Sequence, residues 1–518
     1  MMETTTTDTT TTDTTTTDTT TTDTTTDTAT TDTTTDTTET TTMYFQQYYL
    51  ECLSHASYMI GDTTSGRAVV VDPQRDVREY LADAEANGLT IERVIETHFH
   101  ADFLSGHLEL AEATGAVISY GEAGAEGVGF PIEPLADRQR LDLGPGDGTG
   151  VQLEILATPG HTPESISVVV YEQPDAEPYG VLTGDTLFIG DVGRPDLLAS
   201  IGVTADELAR SLFGSLHDQL LTLPDDTKVY PAHGAGSACG KNLSTETVST
   251  IGEQRRTNYA LQPMSIEEFV EAVTEGQSAA PLYFSFAANR NRQARELLDE
   301  ESDVTPMSLA EVDAAVADGA VVVDVRDNVA FAAGHLVGSI NVGLDGRFAE
   351  YVGQVVRPDS PIVLVAGPGE DKEAEVRLAR IGFDRVVGAL AEPERVMAEH
   401  PERVQRASRL TAAELAEVVA GGLPDGGPPQ LVDVRNAGEV ALGSIDGAVN
   451  IPMASLLDGY GELDPSRPTV VYCAGGYRSS IAASLLRSAG FADVSDLLGG
   501  FGAWQLRPGA PAAIQGVT

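Results

Sequence analysis

Six side chains in the first half of the chain have the types and spacing of a metal centre. Thr97-His98-Phe99-His100-Ala101-Asp102 follows the apolar run Arg93–Glu96. His98 and His100 alternate past a strand end, so a loop there can turn both imidazoles and the Asp102 carboxylate toward one point. His161 lies in TPGHTPES after the run LEILA, Asp185 in TGDTLF after VL, and His233 in YPAHGAGS after KVY. Each falls at a strand carboxyl end, where open α/β architectures place their sites. Imidazole and carboxylate together are ligands for zinc or iron. The plainer alternative is a set of isolated polar caps on strands. That alternative is weak, because four of the nine histidines fall in these glycine- and proline-marked motifs.

A second chemistry is carried by sulfur. Cys473 opens Cys-Ala-Gly-Gly-Tyr-Arg-Ser-Ser, between the strand candidate TVVY and the helix candidate SIAASLLRSAGF. A cysteine at that junction faces free backbone N–H groups. Ala474, Gly475 and Gly476 let the loop wrap closely around the sulfur, with Tyr477 closing it and Arg478 adding a positive charge. Such surroundings favour a thiolate and would stabilise a persulfide anion. Two cysteines remain. Cys239, in GAGSACGK shortly after His233, is a candidate accessory thiol or a packed residue, and Cys52, in LECLSHASYMI, reads as structural in an apolar strand. Three cysteines in 518 residues do not make a disulfide framework.

The elements that must position these groups fall into several units. A chain of 518 residues exceeds one core. Residues 1–42 repeat TTTTD and TTTD, with almost nothing to bury, and are expected to be a disordered acidic tail. From 43 to 262, strand candidates Ala68–Val71, Arg93–Glu96, Leu153–Leu156, Ile166–Tyr171, Gly180–Leu182 and Lys228–Tyr230 alternate with helices and glycine-rich loops, which predicts a layered α/β sandwich. Residues 263–304, with SIEEFVEAV and NRQARELLDE, read as a helical connector. A pattern then appears twice, over 305–404 and 405–518: an amphipathic helix, a buried strand ending in Asp-Val-Arg, a Gly-rich turn, and two more strands. This is an internal duplication of an α/β unit. Where the second copy has Cys473, the first reads Ala366-Gly367-Pro368-Gly369-Glu370-Asp371, without a thiol and with acids that would repel an anionic sulfur. It reads as an inactive spacer.

The formal net charge of −48, from 79 acidic and 31 basic residues, argues against nucleic acid and anionic membranes as partners. It fits a protein kept soluble at high salt, hence a halophilic source. No apolar run is long enough for a membrane helix, and the start of the chain does not read as a signal peptide, so the expected location is the cytoplasm.

The order THFHAD, TPGHT, GDT, PAHG resembles the metallo-β-lactamase superfamily over roughly residues 44–260. ETHFHADFLSGHLELA, LFIGDVGRPDL and PAHGAGSACGK are more similar to its persulfide dioxygenase (sulfur dioxygenase) branch. The resemblance implies an αββα sandwich and one Fe(II) per chain held by His98, His161 and Asp185, with positions left for a thiolate and O2. Zinc is the alternative metal. Two-metal hydrolases of the superfamily read HxHxDH, and Phe103 stands where the last His would be. A mononuclear site is therefore favoured, with His100, Asp102 and His233 as orienting residues or alternative ligands. His107 is a substitute ligand or, more in keeping with a following helix, a packing residue. Residues 408–510 resemble the rhodanese sulfurtransferase domain through LVDVR, GSIDGAVNIP, the Cys loop and GGFGAW, and 305–404 resembles it through VVVDVR and AGHLVGSINV. Asp433 and Arg435 read as a brace for the loop. The family commonly has Gly-His-Ile where this chain has Gly443-Ser444-Ile445, and that His is chiefly structural.

The whole order is similar to persulfide dioxygenase–sulfurtransferase fusions. It implies oxidation of a low-molecular-weight thiol persulfide by O2 to sulfite and thiol. Sulfane-sulfur transfer through Cys473 follows, with thiosulfate formed when sulfite is the acceptor, in sulfide detoxification. A homo-oligomer is compatible with it. The competing reading is a thioesterase of the glyoxalase II kind using metal-activated water. A third makes the chain a sulfur-relay scaffold with a vestigial metal site, against which the complete triad argues.

Overall fold

The computed structural model describes residues 42–197, 202–241, 243–422 and 427–507. The Thr/Asp-rich tail lies outside them, apart from Thr42. Two six-stranded sheets form the first half. The first runs β1 (Met43–Leu50), β2 (His55–Asp62), β3 (Arg67–Val71), β4 (Thr90–Ile95), β5 (Val117–Gly121) and β6 (Glu133–Leu135), in that spatial order. The second holds β7 (Arg140–Asp142), β8 (Gln152–Ala157), β9 (Ile166–Tyr171), β10 (Gly180–Gly184), β11 (Lys228–Pro231) and β12 (Ser249–Thr250), also side by side in sequence order. All six strand candidates of the sequence are present, within a few residues at their ends.

Strand periodicity assigns the layers. Tyr58, Ile60, Val69 and Val71 face Leu153, Ile155, Val168 and Val170 across the sandwich. Their neighbours Met59, Ala68 and Val70 point the other way, onto Tyr80, Ala84 and Leu110 of the helices Arg78–Ala86 and His107–Thr114. On the outer face of the second sheet, Leu156, Val169, Val181 and Val229 meet Ala209, Leu212 and Phe269. Both sheets are buried on both faces, which gives helix–sheet–sheet–helix layering.

The connector is helical only in part. Helices span Ile266–Thr274 and Tyr283–Arg290. The first has the capping box its sequence offers, Ser265 accepting from the backbone of Glu268. NRQARELLDE, expected as a helix, is irregular after Arg290. Its polar side chains are spent on the metal-loop region instead: Asn291 and Arg295 bond to residues 100–109, and those tertiary bonds override helix propensity.

The duplicated units fold alike. The first forms a parallel sheet of Pro306–Met307, Val386–Leu390, Ile362–Val365, Val321–Asp324 and Ile340–Asn341. The second repeats it with Ser408–Leu410, Val494–Leu497, Thr469–Tyr472, Gln430–Asp433 and Val449–Asn450. Both open on a capping box, Ser308 with Glu311 and Thr411 with Glu414. The helix Tyr477–Ser488 of the second copy packs on the first, where Ser484 Oγ accepts from the Asn341 N–H at 2.9 Å. Among the described residues, no helix is long and apolar enough to cross a membrane.

Candidate metal centre and persulfide loop

The six metal candidates converge at the carboxyl ends of β4, β8, β10 and β11. His98, His161 and Asp185 offer donor atoms that all lie within 4.8 Å of one another. Asp185 Oδ2 is 3.4 Å from His161 Nε2 and 3.8 Å from His98 Nε2. All three residues are buried. The His98 Nε2 atom and both Asp185 carboxylate oxygens lack a hydrogen-bond partner. Buried polar atoms left in this state are costly unless a cation takes them up, so the donor set fits a metal ion.

The opposite nitrogens of the same rings are fixed by the fold. His161 Nδ1 is 2.9 Å from the Arg194 carbonyl, and His98 Nδ1 is 3.0 Å from Thr97 Oγ1. Thr97 is in turn held by Asp72, which accepts from its N–H at 2.7 Å and its hydroxyl at 2.8 Å. Gly193 lets the loop after Asp185 close, since a Cβ there would stand 1.9 Å from the Asp185 carbonyl oxygen.

His100, Asp102 and His233 form a second buried donor group within the same 4.8 Å limit. His233 Nε2 is 3.2 Å from Asp102 and 3.5 Å from Asp185. The ring of Phe103 fills the place beside them, centred 4.3 Å from the His100 ring. His100 Nε2 turns away toward Asp72 at 3.0 Å and Glu96 at 3.5 Å. Burial opposes charge on His100, but the Asp72 and Glu96 carboxylates outweigh it and raise its pKa to about 9. His107 opens the helix His107–Thr114, faces Glu96 at 3.4 Å and packs on Phe130, apart from all these donor groups.

Cys239 is buried with its sulfur inside a third group, with Asp185 and His233. Burial, with Asp102 and Asp185 nearby, pushes its thiol pKa well up. Cys52 is not in a strand. It sits in the single helical turn Glu51–Leu53 that ends β1, where its sulfur accepts from Arg380 of the first duplicated unit at 3.5 Å.

Four residues were not singled out from sequence. His55 packs on Phe103 with ring centres 3.9 Å apart and planes tilted by 38°, and burial drives its pKa well down. Asp72, Arg194 and Asn291 hold the ligand loops from a distance. No sequence signal marks His55; only the fold brings it beside His233, through an isolated bridge between the two residues.

Cys473 lies at the amino terminus of the helix Tyr477–Ser488 and is 1% exposed. The Gly476 N–H donates to its sulfur at 3.1 Å, and Ser479 Oγ is 3.5 Å away. Gly476 takes φ +103°, a backbone turn that favours glycine. The GGFGAW segment clamps the loop from behind, Phe501 N–H to the Cys473 carbonyl at 2.7 Å and Gly502 N–H to that of Ala474 at 3.1 Å. Ala474 and Gly475 are exposed, and Tyr477 OH donates to the Gly343 carbonyl at 3.3 Å. Arg478 forms a two-pronged pair with Glu439 at 2.7 and 2.8 Å. Asp433 and Arg435 pair at 2.6 Å, and Arg435 also donates to the Gly443 carbonyl, the brace expected of them. In the first copy Ala366 occupies the cysteine position, and Glu370 folds back to accept from Gly367 N–H at 2.8 Å.

Comparison with known proteins assigns the domains. Residues 50–233 match the metallo-beta-lactamase superfamily model, and 308–392 and 412–507 match the rhodanese-like domain model. The mitochondrial persulfide dioxygenase of Mus musculus is 31% identical over 241 residues, which is 45% of this chain and 82% of that protein. A hydroxyacylglutathione hydrolase of Polaromonas sp. is 34% identical over 183 residues, 34% of this chain and 61% of that protein. A crystal structure of a metallo-beta-lactamase from Staphylococcus aureus superposes with a TM-score of 0.60 at 32% identity, covering 67% of this chain and 98% of that one. The chain belongs to the metallo-β-lactamase superfamily, as a homologue of the persulfide dioxygenases that carries a tandem pair of rhodanese-like domains.

Proposed function

We propose that the chain oxidises a low-molecular-weight thiol persulfide with O2 and one water, giving thiol, sulfite and two protons, and that Cys473 separately carries sulfane sulfur to an acceptor. With sulfite as that acceptor, thiosulfate results, and the two reactions together detoxify sulfide. The observation that carries this reading is the His98–His161–Asp185 group, buried with unpaired donor atoms, on one chain with a loop built around a cysteine sulfur. One Fe(II) held by these three residues would supply oxygen activation and an anchor for a thiolate sulfur. The chain's own residues do the rest. Thr97 and the Arg194 carbonyl fix the two imidazoles, and Asp72 fixes Thr97. The Phe103 ring, packed on His55, walls the donors on one side. Cys239, buried beside Asp185 and His233, is an accessory thiol for sulfane sulfur in this reading and a packed cysteine in the alternative.

Oxygen uptake on glutathione, coenzyme A and γ-glutamylcysteine persulfides tests the reading and identifies the thiol. No uptake by the iron-loaded protein on any persulfide refutes it. The second reading, a two-zinc thioesterase, draws on the surviving His100–Asp102–His233 donors. About two zinc per chain would favour it, and one iron the dioxygenase. A cytoplasmic, halophilic, homo-oligomeric protein completes the proposal, with neither nucleic acid nor membrane as partner.

A further inference from the structure

The cysteine-less rhodanese-like copy reaches both centres. Its helix Phe348–Val355 begins after Arg347 and presents Glu350 and Tyr351 in its first turn. A cavity of about 860 Å³ opens against this helix. The loop around Cys239 (Gly236, Ser237, Lys241) forms one wall, Arg347 and Tyr351 a second, and Arg478 of the persulfide loop a third. Phe348, Ala349 and Val352 of this helix share one buried apolar cluster with Ala101 and Phe103 of the metal loop. The Tyr351 ring, in the same helix, meets that of Tyr477 edge-on at 5.3 Å, so the cavity opens beside the turn that follows Cys473, although Cys473 itself does not line it.

The lining has the wrong charge for its surroundings. Lys241, Arg347 and Arg478 line it with two carboxylates, Glu350 and Glu439, a balance of one positive charge in a chain of net charge −48, and the Lys241 ammonium is already given to the Ala272 and Glu275 carbonyls. Arg347 gives Nε and Nη2 to Glu350 and leaves Nη1 turned to the loop, 3.3 Å from where a Cβ on Gly236 would stand. Arg478 is spent on Glu439. The free amino edge of Arg347 is thus the donor to which an anion in this cavity can bind. A guanidinium with open N–H groups in a partly closed cavity suits a small oxyanion.

We propose that this cavity binds sulfite and that Arg347, from the copy without a cysteine, holds it for reaction at Cys473. The proposal rests on the reading that Cys473 carries a sulfane sulfur. The sulfite sulfur lone pair attacks the outer sulfur of the Cys473 persulfide. A new S–S bond forms in thiosulfate, the Cys473 S–S bond breaks, and its electron pair leaves on the Cys473 thiolate. No external oxidant is consumed. The cysteine-less copy is then part of the acceptor site rather than a spacer.

The test loads Cys473 with sulfane sulfur in the full-length protein and follows thiosulfate formation against sulfite concentration. Arg347→Gln should raise the KM for sulfite about tenfold, with the loss read in KM more than in kcat, and Arg347→Lys should recover part of it. Because Arg347→Gln strands Glu350, the neutral pair Arg347→Gln with Glu350→Gln is measured beside it. An unchanged sulfite KM in both variants would overturn the proposal. Absence of thiosulfate from the wild-type protein would instead overturn the Cys473 reading, and this proposal with it.

Discussion

Asn291 Nδ2 donates to the carbonyl of His100 at 2.8 Å, across 191 positions of sequence. The same amide donates to the Phe103 carbonyl at 2.8 Å, and its oxygen accepts from the Ser105 N–H at 2.9 Å. One buried side chain thus ties the connector to three backbone groups of the loop that carries His100 and Asp102. Asn291→Ala leaves those groups unpaired in a dry place, at a cost on the order of 1–3 kcal/mol each when water cannot reach them. Thermal unfolding should show a loss of at least several degrees, and metal content should fall, because the loop loses its brace. A variant with wild-type melting and full metal would show that Asn291 is not what holds the loop.

Much of this was legible from sequence, and the omissions share a cause. Strand positions follow from apolar runs and the group of six candidate donors from motifs at strand ends, whereas the narrowing to His98, His161 and Asp185 rests on the family resemblance. The Cys473 loop followed from its glycines. Asn291, Arg194 and Asp72 act through contacts whose partners lie far away in sequence, and nothing local distinguishes them from ordinary polar residues. The segment after Arg290 was misread as helix because its composition is helical, while its side chains bond elsewhere. His55 was missed because a single histidine at the start of a strand carries no pattern.

Cys473→Ser should abolish sulfane-sulfur transfer while oxygen consumption on a persulfide continues. The reason is separation by element: the metal donors stand at the ends of β4, β8, β10 and β11, and Cys473 stands on another sheet. A serine keeps the volume and the Gly476 N–H contact but cannot form a persulfide. Parallel loss of both activities would contradict two independent sites.

His335 should make acid stability depend on the first rhodanese-like copy. It occupies the Gly-His position that Ser444 replaces in the second copy, stacks on Phe331 with ring centres 3.7 Å apart, and has Nδ1 2.9 Å from the Phe331 carbonyl. Burial lowers its pKa from 6.5 to about 4. The folded state therefore favours the neutral ring, and the unfolded chain binds the extra proton between those values. Its contribution is fully present above pH 6.5 and is lost as pH falls toward about 4, on the order of 3 kcal/mol across the window. Denaturant titrations of wild type and His335→Gln from pH 4 to 7 should converge as pH falls. Parallel curves would remove His335 as the cause.

Salt should stabilise the protein. A net charge of −48 on one chain is self-repulsive, and the screening length shrinks from about 8 Å at 0.15 M salt to about 3 Å at 1 M. The melting temperature should climb with KCl from dilute buffer into the molar range, and activity with it. Full stability and activity in dilute buffer would end the halophilic reading.

On the one-metal reading, Phe103 should decide how many metals the site takes. Its ring is buried between His55 and His100, 3.9 and 4.3 Å from their centres, at the position where two-metal relatives of the superfamily carry a histidine. His100, Asp102 and His233 already bring three donors together there. Phe103→His would add an imidazole next to them. Buried without a partner, that ring costs on the order of 1–3 kcal/mol, and a bound cation offsets this cost. Metal content should therefore rise from about one toward two per chain, with the thermal gain on metal addition larger than in wild type. Phe103→Leu, which keeps the wall apolar, should stay at one. Equal stoichiometry in the His and Leu variants would mean that the second position is closed by something other than the Phe103 ring.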